Sequence, residues 1–260
     1  MVWTLILLAF FPAAVQAAED FGWVTATQQD ARVVDRATGD LVPTKEGDTV
    51  LFMDTHQTGP GSKLRLLLED ESVLTLGERS QFQVTESLYD PKTQVRRLTG
   101  QLTAGVARAL VGPYFSTAGS RFEVQTPTAS VFAEQGGAYF IVWLTECDGA
   151  PATGILSLEG RVTARRPGAA EGVTLAELFY TRIGPTCPPA LPLPVSEDMM
   201  SKMTEATSLI DPIRIAAMDI DEQIDPREDR PRSEIRLTPQ IVQTPNLSSL
   251  TRVRVHVIFP

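Results

Sequence analysis

Residues 63–76 read KLRLLLEDESVLTL, and the reading of this stretch decides the fold. Lys63 and Arg65 alternate with Leu64 and Leu66, the period of two that a half-buried strand requires. Glu69-Asp70-Glu71-Ser72 then supplies turn chemistry, and Val73-Leu74-Thr75-Leu76 resumes as an apolar run that ends at Gly77. The stretch is a hairpin, and the chain around it repeats the unit.

Upstream, Glu46-Gly47-Asp48 precedes the apolar Thr49-Val50-Leu51-Phe52, and Gly59-Pro60-Gly61 marks the next turn. Downstream, residues 80–85 (SQFQVT) alternate cleanly. Short strands with a turn every eight to twelve residues or so predict an all-β sandwich, barrel or solenoid. No helical pattern of a dozen residues or so occurs before Pro188, which excludes a βαβ architecture.

The ends differ in character. Residues 1–18 (MVWTLILLAFFPAAVQAA) carry no charged side chain, and Val15-Gln16-Ala17 offers small residues where a signal peptidase inspects the chain. The apolar run over residues 2–11 stops at Pro12, short of the roughly 20 residues a membrane span needs. The segment therefore reads as a signal peptide, and the protein as exported or periplasmic with no stable span after cleavage. A β-domain over residues 19–186 follows, then a proline-rich linker over 187–195. Residues 196–260 form a C-terminal extension. Ser196 opens a short helix there, with acidic residues in its first turn, and Asp211-Pro212 interrupts it. Residues 221–249 are rich in charge and proline and read as mobile. Residues 251–257 (TRVRVHV) alternate strictly, as a terminal strand that pairs with the main sheet or with a partner.

A net charge of −9 and a pI near 4.8 exclude the basic stripe of a nucleic-acid binder. Cys147 and Cys187 are a candidate disulfide in an exported chain, although the sequence leaves open whether they meet. Two cysteines with only His56 and His256 do not make a metal site, and no cofactor motif is present.

Five elements in order resemble the FecR-domain family. Residues 66–77 are similar to its strand, Asp-Gly-Ser turn and second strand ending in glycine. Residues 42–50 (VPTKEGDTV) look like its Gly-Asp approach to a strand, and residues 98–102 (LTGQL) like its strand-Gly-strand element. Residues 122–129 (FEVQTPTA) resemble its Phe-x-Val-x-Thr-Pro-x-Ala segment, and residues 158–162 (LEGRV) its closing Glu-Gly-x-Val turn. The resemblance spans about residues 30–184. It implies a periplasmic or surface β-rich domain, solenoid-like in its winding, of a family best known in anti-sigma regulators. Those regulators carry a long cytoplasmic helical region, which residues 1–18 do not supply.

The departures are local. Glu71 stands where the family turn has glycine, and Ala176-Glu177 where Ala-Gly is usual. Glu134-Gln135-Gly136-Gly137 stands where Arg-Gly-Thr is expected, so the Arg and the Thr are missing. A phosphate cradle would precede a helix and carry a basic residue. Gly136 and Gly137 instead precede Ala138-Tyr139-Phe140-Ile141, and read as a structural bend in a strand.

Catalytic signatures are weak. Asp54-Thr55-His56 lacks the glycine of an aspartic-protease loop and reads as a solvated turn. No Gly-x-Ser-x-Gly elbow occurs, and the carboxylates beside Cys147 would raise a thiol pKa. Trp143, in an alternating strand, reads as core. Tyr114 and Phe115, after Gly112-Pro113, are the candidate contact surface. The expectation is an exported, non-enzymatic FecR-like protein that binds a protein or cell-envelope polymer through strand edges and loops, in envelope signalling or scaffolding. The alternatives are an envelope carbohydrate hydrolase with unplaced carboxylates, and a purely structural envelope component.

Overall fold

A computed structural model describes residues 20–133, 135–187 and 191–209. The predicted signal peptide, the stretch after residue 209 and the predicted terminal strand lie outside the described residues, as do Glu134 and part of the linker. The chain opens with β1 (Asp20–Gln28), β2 (Ala31–Val34), β3 (Leu41–Pro43), β4 (Thr49–Leu51), β5 (Thr55–Thr58) and β6 (Lys63–Leu68). It continues through β7 (Val73–Leu76), β8 (Gln81–Asp90), β9 (Val95–Ala104), β10 (Val106–Leu110), β11 (Arg121–Gln125) and β12 (Ser130–Ala133). The last strands are β13 (Tyr139–Cys147), β14 (Ala150–Glu159), β15 (Val162–Arg165), β16 (Val173–Leu175), β17 (Phe179–Ile183) and β18 (Leu193–Pro194). A helix, α1 (Glu197–Thr207), follows them.

These strands make two nine-stranded sheets, ordered β18-β17-β14-β13-β10-β7-β6-β1-β4 and β16-β15-β12-β11-β9-β8-β5-β2-β3. From β5 onward the chain mostly lays two strands in one sheet and the next two in the other, advancing along both together. The protein is thus all-β, and its form is a sandwich. Every pairing is antiparallel except β9 with β11, which run parallel.

Alternation builds the core. Leu64, Leu66 and Leu68 of β6 point inward with Leu74 and Leu76 of β7, and meet Phe82, Phe122, Phe140 and Ile155 in one cluster. Each fully buried side chain of this size contributes about 1.5–3 kcal/mol of transfer free energy. Gly100, in the middle of the LTGQL element, leaves room for the Phe82 ring, which a Cβ there would strike. The outward residues of the first sheet meet α1 in a second, smaller cluster: Val106, Ile141 and Leu156 beneath Met200, Met203 and Ala206. Trp143 is half-buried in this outer cluster, and Gly154 opposite it makes space for its indole.

The helix forms where the sequence places it. The Ser196 hydroxyl accepts from the Met199 amide at 3.3 Å, and Glu197 and Asp198 occupy the first turn. At its far end Lys63 Nζ donates to the carbonyls of Glu205 (2.7 Å) and Ser208 (2.6 Å), satisfying groups the helix leaves open.

Two expectations are corrected. Asp54-Thr55-His56 is not a solvated turn, because Thr55 and His56 belong to β5 between β2 and β8, and Asp54 and His56 are buried. Asp54 accepts from the Leu51 amide at 2.9 Å and pairs with Arg36 at 2.9 Å. Burial pushes the His56 imidazole down to about 4, partly opposed by the Asp54 charge. The second is Phe115, which is fully buried and not part of an exposed surface.

Cys147, at the end of β13, and Cys187, beyond β17, form a disulfide with Cα atoms 6.2 Å apart. Their separation of 40 residues corresponds to about 4 kcal/mol in the chain-entropy model.

Two predictions follow from these buried groups. Since His56 holds its proton more weakly when folded, the unfolded chain binds more protons between pH 4 and 6.5, and stability falls as pH drops through that window. The loss reaches about 3 kcal/mol by pH 4, and His56→Leu should flatten that part of the stability–pH curve in urea titrations. An unchanged slope would refute it. Reductant should lower the stability of the native protein, read from urea titrations, by about 2–4 kcal/mol, yet leave a Cys147→Ser/Cys187→Ser protein unmoved.

Candidate functional site

Three turns converge at one end of the sandwich. The first joins β6 to β7 through Asp70-Glu71-Ser72, the second runs from Val111 into a single 3-10 turn at Pro113–Phe115, and the third holds Gly136 and Gly137. Hydrogen bonds weave them together. The Gly137 amide donates to Val111 O and the Val111 amide to Ala138 O, both at 2.9 Å, while the Gly112 amide donates to Ser72 Oγ at 2.9 Å. The two glycines act differently. Gly137 adopts φ +81°, a left-handed conformation, with open space around it. Gly136 has no such angle, but a Cβ there would lie 2.6 Å from Gly112 O. The segment is a bend held by close backbone approach.

The surface that this frame presents is built on Arg96. Its guanidinium lies 4.8 Å from the Tyr89 ring centroid and 5.7 Å from that of Tyr114, and its amide donates to Ser120 Oγ at 3.0 Å. Tyr89 and Tyr114 are 51% and 52% exposed, so two aromatic faces reach solvent around one cation. The Tyr114 hydroxyl donates to Glu71 Oε1 at 3.3 Å. Beneath them Asp70 is buried, its Oδ1 accepting from the Ser72 amide at 2.8 Å. Burial pushes the Asp70 carboxyl above the usual carboxylate range, against the Ser72 hydrogen bonds and the Arg96 charge, which pull it down.

Beside this patch is a polar cleft of about 540 Å³, lined by Arg97, Ser116, Gly119, Ser120, Arg121 and Gln135 among others. Arg97 and Arg121 are direct partners on the parallel strands β9 and β11, so two like charges share one face. Arg121 is balanced on its other side by the buried Glu123, at 3.2 Å, which also accepts from Gln125 Nε2 at 3.0 Å. Arg121 and Arg165 flank the Phe132 ring at 5.4 and 5.2 Å. Among the described residues the cleft lining carries two guanidiniums and no carboxylate. Such a surface suits aromatic, polar or anionic groups.

The sequence candidates separate here. Tyr114 stands at the surface. Phe115 does not: it is fully buried, edge-on to Phe122 at 5.7 Å, and plugs this end of the core. Its placement in an exposed contact surface is therefore corrected: successive side chains of a 3-10 turn stand about 120° apart, so Tyr114 faces out while Phe115 faces the core. Cys147 and Cys187 lie far along the chain from this end, and with Asp148 they form, among the described residues, a grouping of metal-ligand residue types within 4.8 Å. Both sulfurs are committed to the disulfide. Tyr89, Arg96, Arg97 and Arg121 were missed by sequence reasoning. The one available signal was the pair of basic doublet and tyrosine facing each other across the β8–β9 hairpin.

Residues 54–163 match the family model described as FecR protein, so the resemblance read from the sequence holds over that stretch. No curated protein matches the sequence. Two crystal structures of a candidate anti-sigma factor from Parabacteroides distasonis, at 1.65 and 2.50 Å resolution, are similar to this chain. They are 17% and 16% identical, cover 64% of this chain and 73% and 72% of their own, and each gives a TM-score of 0.45.

The family turn also yields a test. Glu71 has φ +60°, a conformation costing an L-residue about 1–2 kcal/mol that glycine avoids. Glu71→Gly should raise stability by about 0.5–1 kcal/mol once glycine's greater unfolded-state entropy is set against it. Gly136→Ala should lower it by about 1–3 kcal/mol by forcing the bend from residues 112–113. Thermal melts of the two proteins should move in opposite directions, and a shared direction would contradict the geometry.

Proposed function

We propose that this is an exported, non-enzymatic FecR-domain protein that binds a protein or cell-envelope polymer, in envelope signalling or scaffolding. The FecR match over residues 54–163 supports a signalling-related role. The observation that carries the binding reading is the exposed Tyr89–Arg96–Tyr114 stack beside the Arg97–Arg121 cleft. Tyrosine and arginine dominate binding hot spots, because each offers large contact area together with directional hydrogen bonding.

Binding through loops is favoured over strand addition by the edges themselves. The outermost strands β3, β4, β16 and β18 have two or three residues each, and β3 and β18 end in Pro43 and Pro194, which cannot donate. A glycan hydrolase would need two inward carboxylates in a closed cleft. The glutamates that share a groove, Glu177, Glu197 and Glu205 beside α1, are all exposed, which supports the non-enzymatic reading.

Crosslinking in the native envelope tests this surface. Arg97→Glu, alone and with Tyr114→Ala, should reduce the yield of the captured partner at least tenfold while leaving the melting temperature within a degree or two. Equal yields from the native and altered proteins would remove this surface as the binding site.

A further inference from the structure

An open groove of about 1040 Å³ runs between one face of α1 and the start of β17. Its floor is apolar, formed by Leu178, Phe179, Val195 and Met200. Leu178 is 46% exposed, and Leu193 of the bordering β18 is 52% exposed, with Leu191 just before it at 85%. An exposed apolar surface of this kind marks a docking site. The polar lining has one sign of charge. Glu177, Glu197 and Glu205 line the groove, and no lysine or arginine does so among the described residues.

The same chain contains a complementary segment. Residues 251–259 read TRVRVHVIF: Val253, Val255, Val257 and Phe259 fall on one side of an extended strand, and Arg252, Arg254 and His256 on the other. The described chain ends at residue 209, and Ser208 is itself part of the groove lining. Residues 210–250 could span on the order of 130 Å if extended, so reach does not limit where the segment lands. The helix beside the groove is about 16 Å long, the length of about five extended residues. That is the span from Val253 to Val257.

We infer that residues 251–259 of this same chain seat in the groove, with the valine side on Leu178, Phe179, Val195 and Met200. Arg252 and Arg254 then face Glu177, Glu197 and Glu205. The seat covers an exposed apolar floor and a strand that would otherwise offer its backbone to other chains. It is separate from the Tyr89–Arg96–Tyr114 surface and does not depend on that reading.

Hydrogen exchange and crosslinking on the full chain test it. Arg252→Glu with Arg254→Glu should speed amide exchange across α1 and residues 193–195 at least tenfold. Adding Glu177→Lys, Glu197→Lys and Glu205→Lys should restore the slow exchange by reversing both sides together. In a second measurement, Val255→p-benzoylphenylalanine should crosslink within one molecule to residues 177–208. Exchange unchanged by the arginine replacements would overturn the inference. So would crosslinks to another face, crosslinks joining two copies, or seating of an added peptide of different sequence in preference to the tail.

Discussion

The two sheets can exist only because their inner faces close on one shared set of side chains. Leu64, Leu66, Leu74 and Leu76 from one side meet Phe82, Phe122 and Val124 from the other, and neither sheet alone could bury them. The constraint reaches down to single atoms. Phe82 fits between the layers because Gly100 has no side chain, and Phe115 closes the end of the same space against Phe122. The surface features rest on that closure: the turn frame under Tyr114 is anchored by the residue that follows it, which is part of the core.

How much of this was legible beforehand depended on whether the signal was local. The hairpin at residues 63–76 was readable because leucine alternation and an Asp-Glu-Ser turn are properties of consecutive residues. The bend at Gly136-Gly137 was readable for the same reason, although the sequence did not reveal that the two glycines act by different means. Asp54-Thr55-His56 was misread because β5 is a strand made of polar residues, whose inward His56 and Thr58 resemble turn chemistry when pattern alone is considered. Phe115 was misread because a turn with aromatic residues gives no hint of which ring points inward.

The Arg96 stack and the Arg97–Arg121 pairing lie on the other side of that divide. Tyr89 and Arg96 are brought together by hairpin register, but Tyr114 arrives from a turn in a different part of the chain. Arg121 reaches Arg97 through the β9–β11 pair, the parallel pairing of the sandwich, after the chain has crossed into the other sheet to form β10. Spacing along the chain carries no trace of such a crossing. Charge composition also hid it, because a chain of net charge −9 still gathers Arg96, Arg97 and Arg121 on the neighbouring strands β9 and β11.

The disulfide has a consequence for the chain as a covalent object. Cys147 lies at the tip of the β13–β14 hairpin, and Cys187 lies just before the segment that leads into β18 and α1. A single backbone cut anywhere between residues 148 and 186 therefore leaves both pieces linked. The exposed turn at Asp148-Gly149 and the loop between β15 and β16 can each be nicked without releasing the helix from the sandwich. Backbone damage at those sites therefore stays within one molecule.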